Sequence, residues 1–514
     1  MGFKNLITKA IARVFTRNGK DSNVKIVERS HRGFNSAKLS HLTSSWAMAP
    51  QPIDVDIKNG LRRLRARARA EAQNNDHVRK FLTMLKTNVI GHQGIVLKTD
   101  ILDPSGVRDI KAGQSITEAW REWGRKGSMD VTGRYSWRMF QRLYIETLGR
   151  DGEVLVRKII NWAGNKYRFA LQFLDVDLLD VEYNDNLSNG NIIRMGVELD
   201  QYRRPVAYHL LTTNHGADTY MYAGRRYVRI PANQIIHEYL SEWVWQTRGI
   251  PLTATALLRL NMLSEYEEAE LVAARYAASK FANYERNPDA PTPQDGVSMG
   301  DSVDADGNFV DEVEPGIIGI TPEGYTLKPF DPQHPNQAYK DFVKASLRGI
   351  AAGLGVSYND LADDLEGVNY SSLRHGAITS RDVWRLLQDW VIESLCDRVY
   401  RDWLHIALIT EEIKVSGKPL KLDRETLYQR VNWQPRGWQW VDPAKEVAAH
   451  RDAHNMGLRS ISSIIREQGN DPDEVWREIA EERKKMSELG ITTATAIEGN
   501  PVDDNEEEND AENE

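Results

Sequence analysis

Four carboxylates fall close together at Asp360, Asp363, Asp364 and Glu366. At that density they could hold a divalent cation for phosphoester chemistry, or set a repulsive surface against a polyanion. No lysine pattern accompanies them on their own segment, which carries only Arg374 and His375 as basic groups; this favours the second use over a metal-dependent DNA-processing enzyme. A second constellation is the run of arginines at 62, 63, 65, 67 and 69 in LRRLRARARA. At 100° per residue, Leu61, Leu64 and Ala68 share a helix face, with Arg62, Arg65 and Arg69 along one flank. Those three arginines could contact nucleic acid or a partner, or pair with acids on a neighbouring element. No aromatic platform is interleaved with them, as single-strand binding would require. His450 and His454 stand four apart without a third metal ligand. DSVDADGNFVDEV (301–313) imitates a calcium loop, yet Ser302 and Val313 fall where its first and last carboxylates belong; a turn at Asp306-Gly307 is the simpler reading.

Other chemistry is missing from the sequence. No G-x-x-x-x-G-K-[ST] occurs, which excludes a P-loop ATPase, and no H-E-x-x-H is present. GLGVSY (353–358) lacks the third glycine of a dinucleotide fingerprint and follows a predicted helix instead of a strand. The only cysteine is Cys396, so no internal disulfide is possible. No catalytic residue, metal site or cofactor is assigned.

The elements that must position these groups follow from periodicity. Ser115 reads as the N-cap of the helix in SITEAWREWG, and YSWRMFQRLYIETLGRDGEVLVRKI reads as helix, turn and strand. Short alternating runs between 166 and 236 (YRFALQFL, RMGVEL, VAYHLL, YVRI) predict a meander of half-buried strands. Residues 253–286 lack Gly and Pro and are rich in alanine; they predict one helix of about 33 residues, roughly 50 Å long. Residues 287–335 hold eight of the 19 prolines and read as a loop-and-hairpin module. A helix over 336–354 ends at Gly353 and Gly355. After the acidic loop a second long helix, capped by Ser371 or Ser372, runs to about 409, and 442–489 predicts two or three short helices. The fold class is α+β.

The ends differ in character. Phe3, Leu6, Ile7, Ala10, Ile11 and Val14 sit at helical spacing. This arm could lie on a membrane surface, bind a partner, pack within an assembly, or be removed in maturation. Lys4, Lys9, Arg13 and Arg17 interrupt any signal-peptide core, and no apolar run is long enough to span a bilayer. From Asp503 to Glu514 there are eight acids and no base, and these account for the whole formal net charge of −8. Such a segment is predicted to be a disordered, solubilising tail, with docking to a basic partner as the alternative.

Five strings occur in the order in which they appear in lambda-type tailed-phage portal proteins. They are EAWREW with GRDGEVLV, WQTRGIPLTATALL (245–258), PGIIGITPEGYTLKPFDPQHP (315–335), SLRGIAAGLGVSYNDLADDLEGVNYSSLRHGA (346–377) and the run from Asp442 to Glu482. Over about residues 30–490 the chain resembles that head-tail connector family. The resemblance implies a ring, usually of twelve subunits, with an α+β wing, a long-helix stem, a β-containing clip and an α-helical crown. By position it implies an N-terminal arm at 1–30, wing at 31–252 and 376–441, stem helices at 253–286 and 336–354, clip at 287–335, channel loop at 355–375, crown at 442–490 and acidic tail at 491–514. Tyr358, Asn359, Asp360, Asp363, Asp364, Glu366 and Asn369 would then line the channel, and Ala269, Ala273 and Ala277 would pack the stem. The implied function is DNA packaging and ejection at the capsid vertex of the virion, after assembly in the host cytoplasm. The implied partners are the terminase large subunit, head-tail connector proteins, major capsid and scaffold proteins, and double-stranded DNA, with no membrane. Another capsid-associated structural protein is the alternative reading.

Overall fold

The computed structural model describes residues 49–213, 222–278, 282–286, 325–329, 338–438 and 443–489. The expected arm at 1–30, the centre of the expected clip with the turn read at Asp306-Gly307, and the acidic segment lie outside them. The chain divides at Pro52/Ile53 into two units, and the account below concerns the second.

Helix α1 (Ile53–Asn74) buries Ile57, Leu61, Arg65 and Ala68, which recur at the spacing of one helix face. Asn75 then caps α2 (Asp76–Leu85) by accepting from the backbone N–H groups of His77 and Val78. A π-helical turn, Lys86–Ile90, carries α2 to Gly91, where φ turns positive. Strand β1 (Val96–Thr99) precedes α3 (Ile110–Trp123), whose cap is Asp109, accepting from Ala112 N–H. The expected cap at Ser115 is therefore wrong: Ser115 lies inside the helix. Gly113, which reads as a break in sequence, is placed there by packing, since a Cβ would stand 2.8 Å from Thr99 Oγ1.

Helix α4 (Trp137–Asp151) ends on left-handed Gly152 and runs directly into β2 (Glu153–Ile160). β2 is the centre of a three-stranded antiparallel sheet, between β3 (Phe169–Leu174) and the later β9 (Ile235–Tyr239). The intervening strands, β4 (Asp185–Asn186), β5 (Ile192–Arg194), β6 (Val197–Leu199), β7 (Pro205–Thr213) and β8 (Tyr222–Pro231), make a sequential antiparallel meander. RMGVEL, VAYHLL and YVRI fall in this meander as expected, whereas YRFALQFL is β3 in the three-stranded sheet.

The predicted helix over 253–286 is corrected. Helix α5 spans Leu257–Ala278, and Ala282–Arg286 is instead strand β10, paired antiparallel with β11 (Tyr325–Pro329). The segment Ala-Asn-Tyr-Glu-Arg has no glycine or proline to announce the change; a strand partner more than forty residues away decides it. Helix α6 (Tyr339–Leu354) closes on Gly355 at φ 69°, as expected. Ser357 caps the short α7 (Tyr358–Ala362). Helix α8 (Tyr370–Val391) starts just before the two candidate caps, which puts Ser371 and Ser372 in its first turn. It continues through a π turn at Ile392–Cys396 into α9 (Asp397–Ile409).

A hairpin of β12 (Lys414–Val415) and β13 (Lys418–Pro419) turns through Ser416 and Gly417, both at positive φ. After α10 (Glu425–Tyr428), β14 (Val431–Gln434) returns to pair antiparallel with β1. Three further helices follow, α11 (Pro443–Asn455), α12 (Ile461–Glu467) and α13 (Pro472–Glu488).

The main core joins both halves of the sequence. Trp120 stacks among Trp123, Trp137, Tyr400, Trp403 and Trp433 with ring centroids 4.8–6.0 Å apart. Trp123 Nε1 donates to Phe169 O at 2.8 Å, which satisfies its one polar atom. By contrast, α5 leaves Leu258, Met262, Leu271 and Val272 largely exposed. Among the described residues no helix is long and apolar enough to cross a membrane.

Candidate functional site

The acidic loop is held by three lysines from outside it. Asp363 sits at φ 50° after α7, and Lys80 of α2 donates to its Oδ2 at 2.5 Å. Asp364 accepts from Tyr358 Oη at 2.6 Å and from Lys344 at 2.9 Å, while Glu366 pairs with Lys340 at 2.6 Å. The Tyr358 hydrogen bond, then Lys344, holds the Asp364 carboxyl well below the usual carboxylate range. Partial burial and the bond to Asp364 push the Tyr358 hydroxyl up to about 12. The guanidinium of Arg348 and the ammonium of Lys344 lie 5.5 and 5.8 Å from the same ring.

Four uncompensated acids were expected here. Instead Asp360 alone forms no ion pair among the described residues, and the loop is close to neutral. Lys340 and Lys344 were readable as an i, i+4 pair on the preceding helix; Lys80, nearly three hundred residues away, was not. Asp363, Asp364 and Glu366 each answer a different lysine, and no three His, Cys, Asp or Glu side chains converge on a cation site among the described residues. Ion pairs this open to solvent are screened and contribute little. Leu361, only 2% exposed, contributes about 1.5–3 kcal/mol by burial and is the main anchor of the loop. Asn359 is half-buried on α7, and Asn369 is exposed just before α8.

The arginines of α1 separate. Arg62 is exposed. Arg65 is buried, donating to Glu153 Oε1 and Asp177 Oδ1 at 2.5 Å each. Arg69 bonds Asp151, Asp175 and Asp177 at 2.6–2.9 Å. For Arg65 and Arg69 the structure shows the second of the two readings, pairing with acids on neighbouring elements, and both guanidinium groups are engaged there.

Their partner Glu153 opens β2 with no solvent exposure and also takes Arg248 at 2.5 Å, His237 Nε2 at 2.9 Å and the Gly249 N–H at 3.0 Å. Burial alone would raise its pKa, but Arg248 and Arg65 outweigh burial and hold the carboxyl well below its ordinary value. Arg248, itself unexposed, uses its remaining donors on the carbonyls of Val176, Leu179 and Met195. Gly152 and Gly249 make this possible, because a Cβ on either would stand 2.1 Å from the other segment's backbone. GRDGEV and WQTRGIP thus meet backbone to backbone. Sequence reasoning missed this network, whose only local trace is charge inside otherwise apolar strings.

The candidate stem alanines are less central within one chain. Ala269 is exposed and Ala273 half-buried, and the side chain of Ala277 is outside the described set. The close approach of α5 and α6 occurs earlier, at Ala256, Gly349 and Gly353, where Thr255 Oγ1 donates to Gly353 O at 2.8 Å. His450 and His454 flank Arg459, which approaches His450 Nδ1 at 3.3 Å, while His454 Nδ1 lies 3.1 Å from Arg459 O.

Residues 40–388 match the model of the phage portal protein, lambda family. The chain is 38% identical over 463 residues to a probable portal protein of Halomonas phage phiHAP-1, covering 90% of this chain and 88% of that one. It is 21% identical over 500 residues to the portal protein of Escherichia phage N15, covering 90% and 93%. Among solved structures, a chain from the neck of an empty GTA particle aligns at 13% identity and a TM-score of 0.40, covering 80% of this chain and 95% of that chain.

Proposed function

Since this chain belongs to the lambda family of phage portal proteins, we propose that it forms the ring at one capsid vertex through which DNA is packaged and later ejected. The observation that carries the ring is the surface of α5. Leu258 and Met262 lie on one side of that helix, and Leu271 lies roughly 180° from Met262 on a helical wheel; all three are more than 60% exposed. Apolar surface on opposite sides of one helix suits a subunit with a neighbour on each side, which is the heterologous contact that closes a ring. The family's usual twelve subunits are the expected number. In this reading 31–252 and 376–441 form the wing, α5 and α6 the stem, 287–335 the clip, 355–375 the channel loop and 442–490 the crown.

A conduit must let phosphates slide, and a loop whose acids are locally neutralised offers DNA neither a strong hold nor a strong barrier. The terminase large subunit would dock during filling and head-tail connector proteins afterwards, with the major capsid and scaffold proteins around the ring. Catalysis belongs to the ATPase, and this chain is a structural component of the virion, assembled in the host cytoplasm. Negative-stain microscopy of the purified protein tests the reading. Rings with a central hole are expected, and deletion of Asp360–Gly367 should keep the rings while reducing packaged DNA in an in vitro assay. Monomers or closed shells would overturn it.

A further inference from the structure

A cleft of about 1770 Å³ opens between the end of α3, strand β1 and the first turns of α13. Its acids are Asp471, Glu474 and Glu478, and the first two are occupied by Lys98 at 2.7 and 3.7 Å. Its remaining cations are Arg121, Arg125, Lys126, Arg138, Arg381 and Arg436. Arg121, Lys126 and Arg138 are exposed and form no ion pair among the described residues. On one wall the guanidinium groups of Arg381, Arg385 and Arg436 all lie within 6.0 Å of the Trp438 ring. Burial lowers the pKa of both Arg381 and Arg436; Glu446 opposes it at Arg381, while Arg381 adds to it at Arg436. Arg385 answers Asp382 at 3.0 Å, so the unpaired positive charge of the cleft lies at Arg121, Lys126 and Arg138, where a bound anion would be attracted.

We propose that the acidic segment Asp503–Glu514 occupies this cleft in its own subunit, as an internal anionic ligand that keeps nucleic-acid phosphates off the arginines. Charge complementarity is the first support, because the segment brings eight carboxylates and no base to a cleft with an excess of cations. Reach is the second. Glu478 of α13 lines the cleft, and Leu489 lies eleven residues further on, roughly 17 Å along a helix axis. The fourteen steps from Leu489 to Asp503 span up to about 46 Å, more than enough to return. The segment also has no apolar anchor of its own, so electrostatics is the only attraction available to it.

Zero-length carbodiimide coupling of the full-length protein, mapped by mass spectrometry, tests the contact. Lys126 should couple to 503–514 well above Lys418, an exposed lysine away from the cleft, and the preference should fade as salt screens the pair. In a full-length variant with the eight acids changed to Asn and Gln, affinity for a short DNA duplex should rise several-fold with a steeper salt dependence. Adding Arg121→Glu and Arg138→Glu to that variant should abolish the gain. Equal or absent coupling at Lys126 and Lys418, or a neutralised variant with the parent's DNA affinity, overturns the proposal. Coupling only between isotopically distinct subunits overturns the same-subunit assignment.

Discussion

Glu153 has no contact with water, so each positive group around it compensates a charge that cannot be solvated. Arg248→Met should therefore destabilise the fold by about 3–5 kcal/mol, because the carboxylate stays behind with half its compensation. Arg248→Met combined with Glu153→Leu should recover a large part of that loss, and denaturant midpoints of the two variants measure the difference. Glu198 gives a pH-dependent counterpart. Its hydrogen bond from Arg229, opposed by burial and helped by Asn191 and His209, depresses its pKa to about 2. A depressed carboxyl contributes stability above the unfolded value, about 4.3, and that contribution is lost as pH falls through the folded value. Arg229→Gln should lower the thermal midpoint at pH 7, and its gap from the parent should narrow between about pH 4 and 2. Neither carboxylate was legible as special in the sequence. A buried Glu at the head of an apolar strand looks the same as an exposed one until its partners, 88 and 95 residues away for Arg65 and Arg248, are in place.

At the scale of elements, the acidic loop tests whether packing or charge sets position. Leu361→Ala removes a buried anchor and should cost about 2–5 kcal/mol locally, whereas Lys344→Ala removes a partly exposed, solvent-screened pair and should cost far less. Hydrogen exchange across 358–366 should therefore rise strongly in the first variant and little in the second. The boundaries of this region were legible, since Gly355 signals its left-handed cap in any context. The strand β2 and the turn before it were equally plain from GRDGEVLV. What failed were boundaries decided at a distance or masked by a glycine: α5 gives way to β10 because β11 is there to pair with it, and α3 begins at Ile110 under the Asp109 cap and runs on through Gly113, which packs against Thr99. Local propensity carries no information about either partner.

On the scale of the whole molecule, the exposed apolar residues of α5 should matter to assembly and not to the fold of one chain. Leu258→Glu and Leu271→Glu should leave the unfolding free energy of the isolated subunit within about 0.5 kcal/mol of the parent, yet shift size-exclusion light scattering from ring to monomer. Rings that survive both changes would remove α5 from the subunit contact. A separate consequence attaches to the pairing of β1 with β14, which matches Thr99 to Val431. A ribosome adding about 5–20 residues per second needs roughly 20–60 s to deliver the second strand after the first. Throughout that interval Trp120 and Trp123 lack Trp403 and Trp433, and the edge of β1 lacks its partner. The aromatic core is therefore begun early and closed late, and its half-built face stays without its later partners while most of the chain is being made.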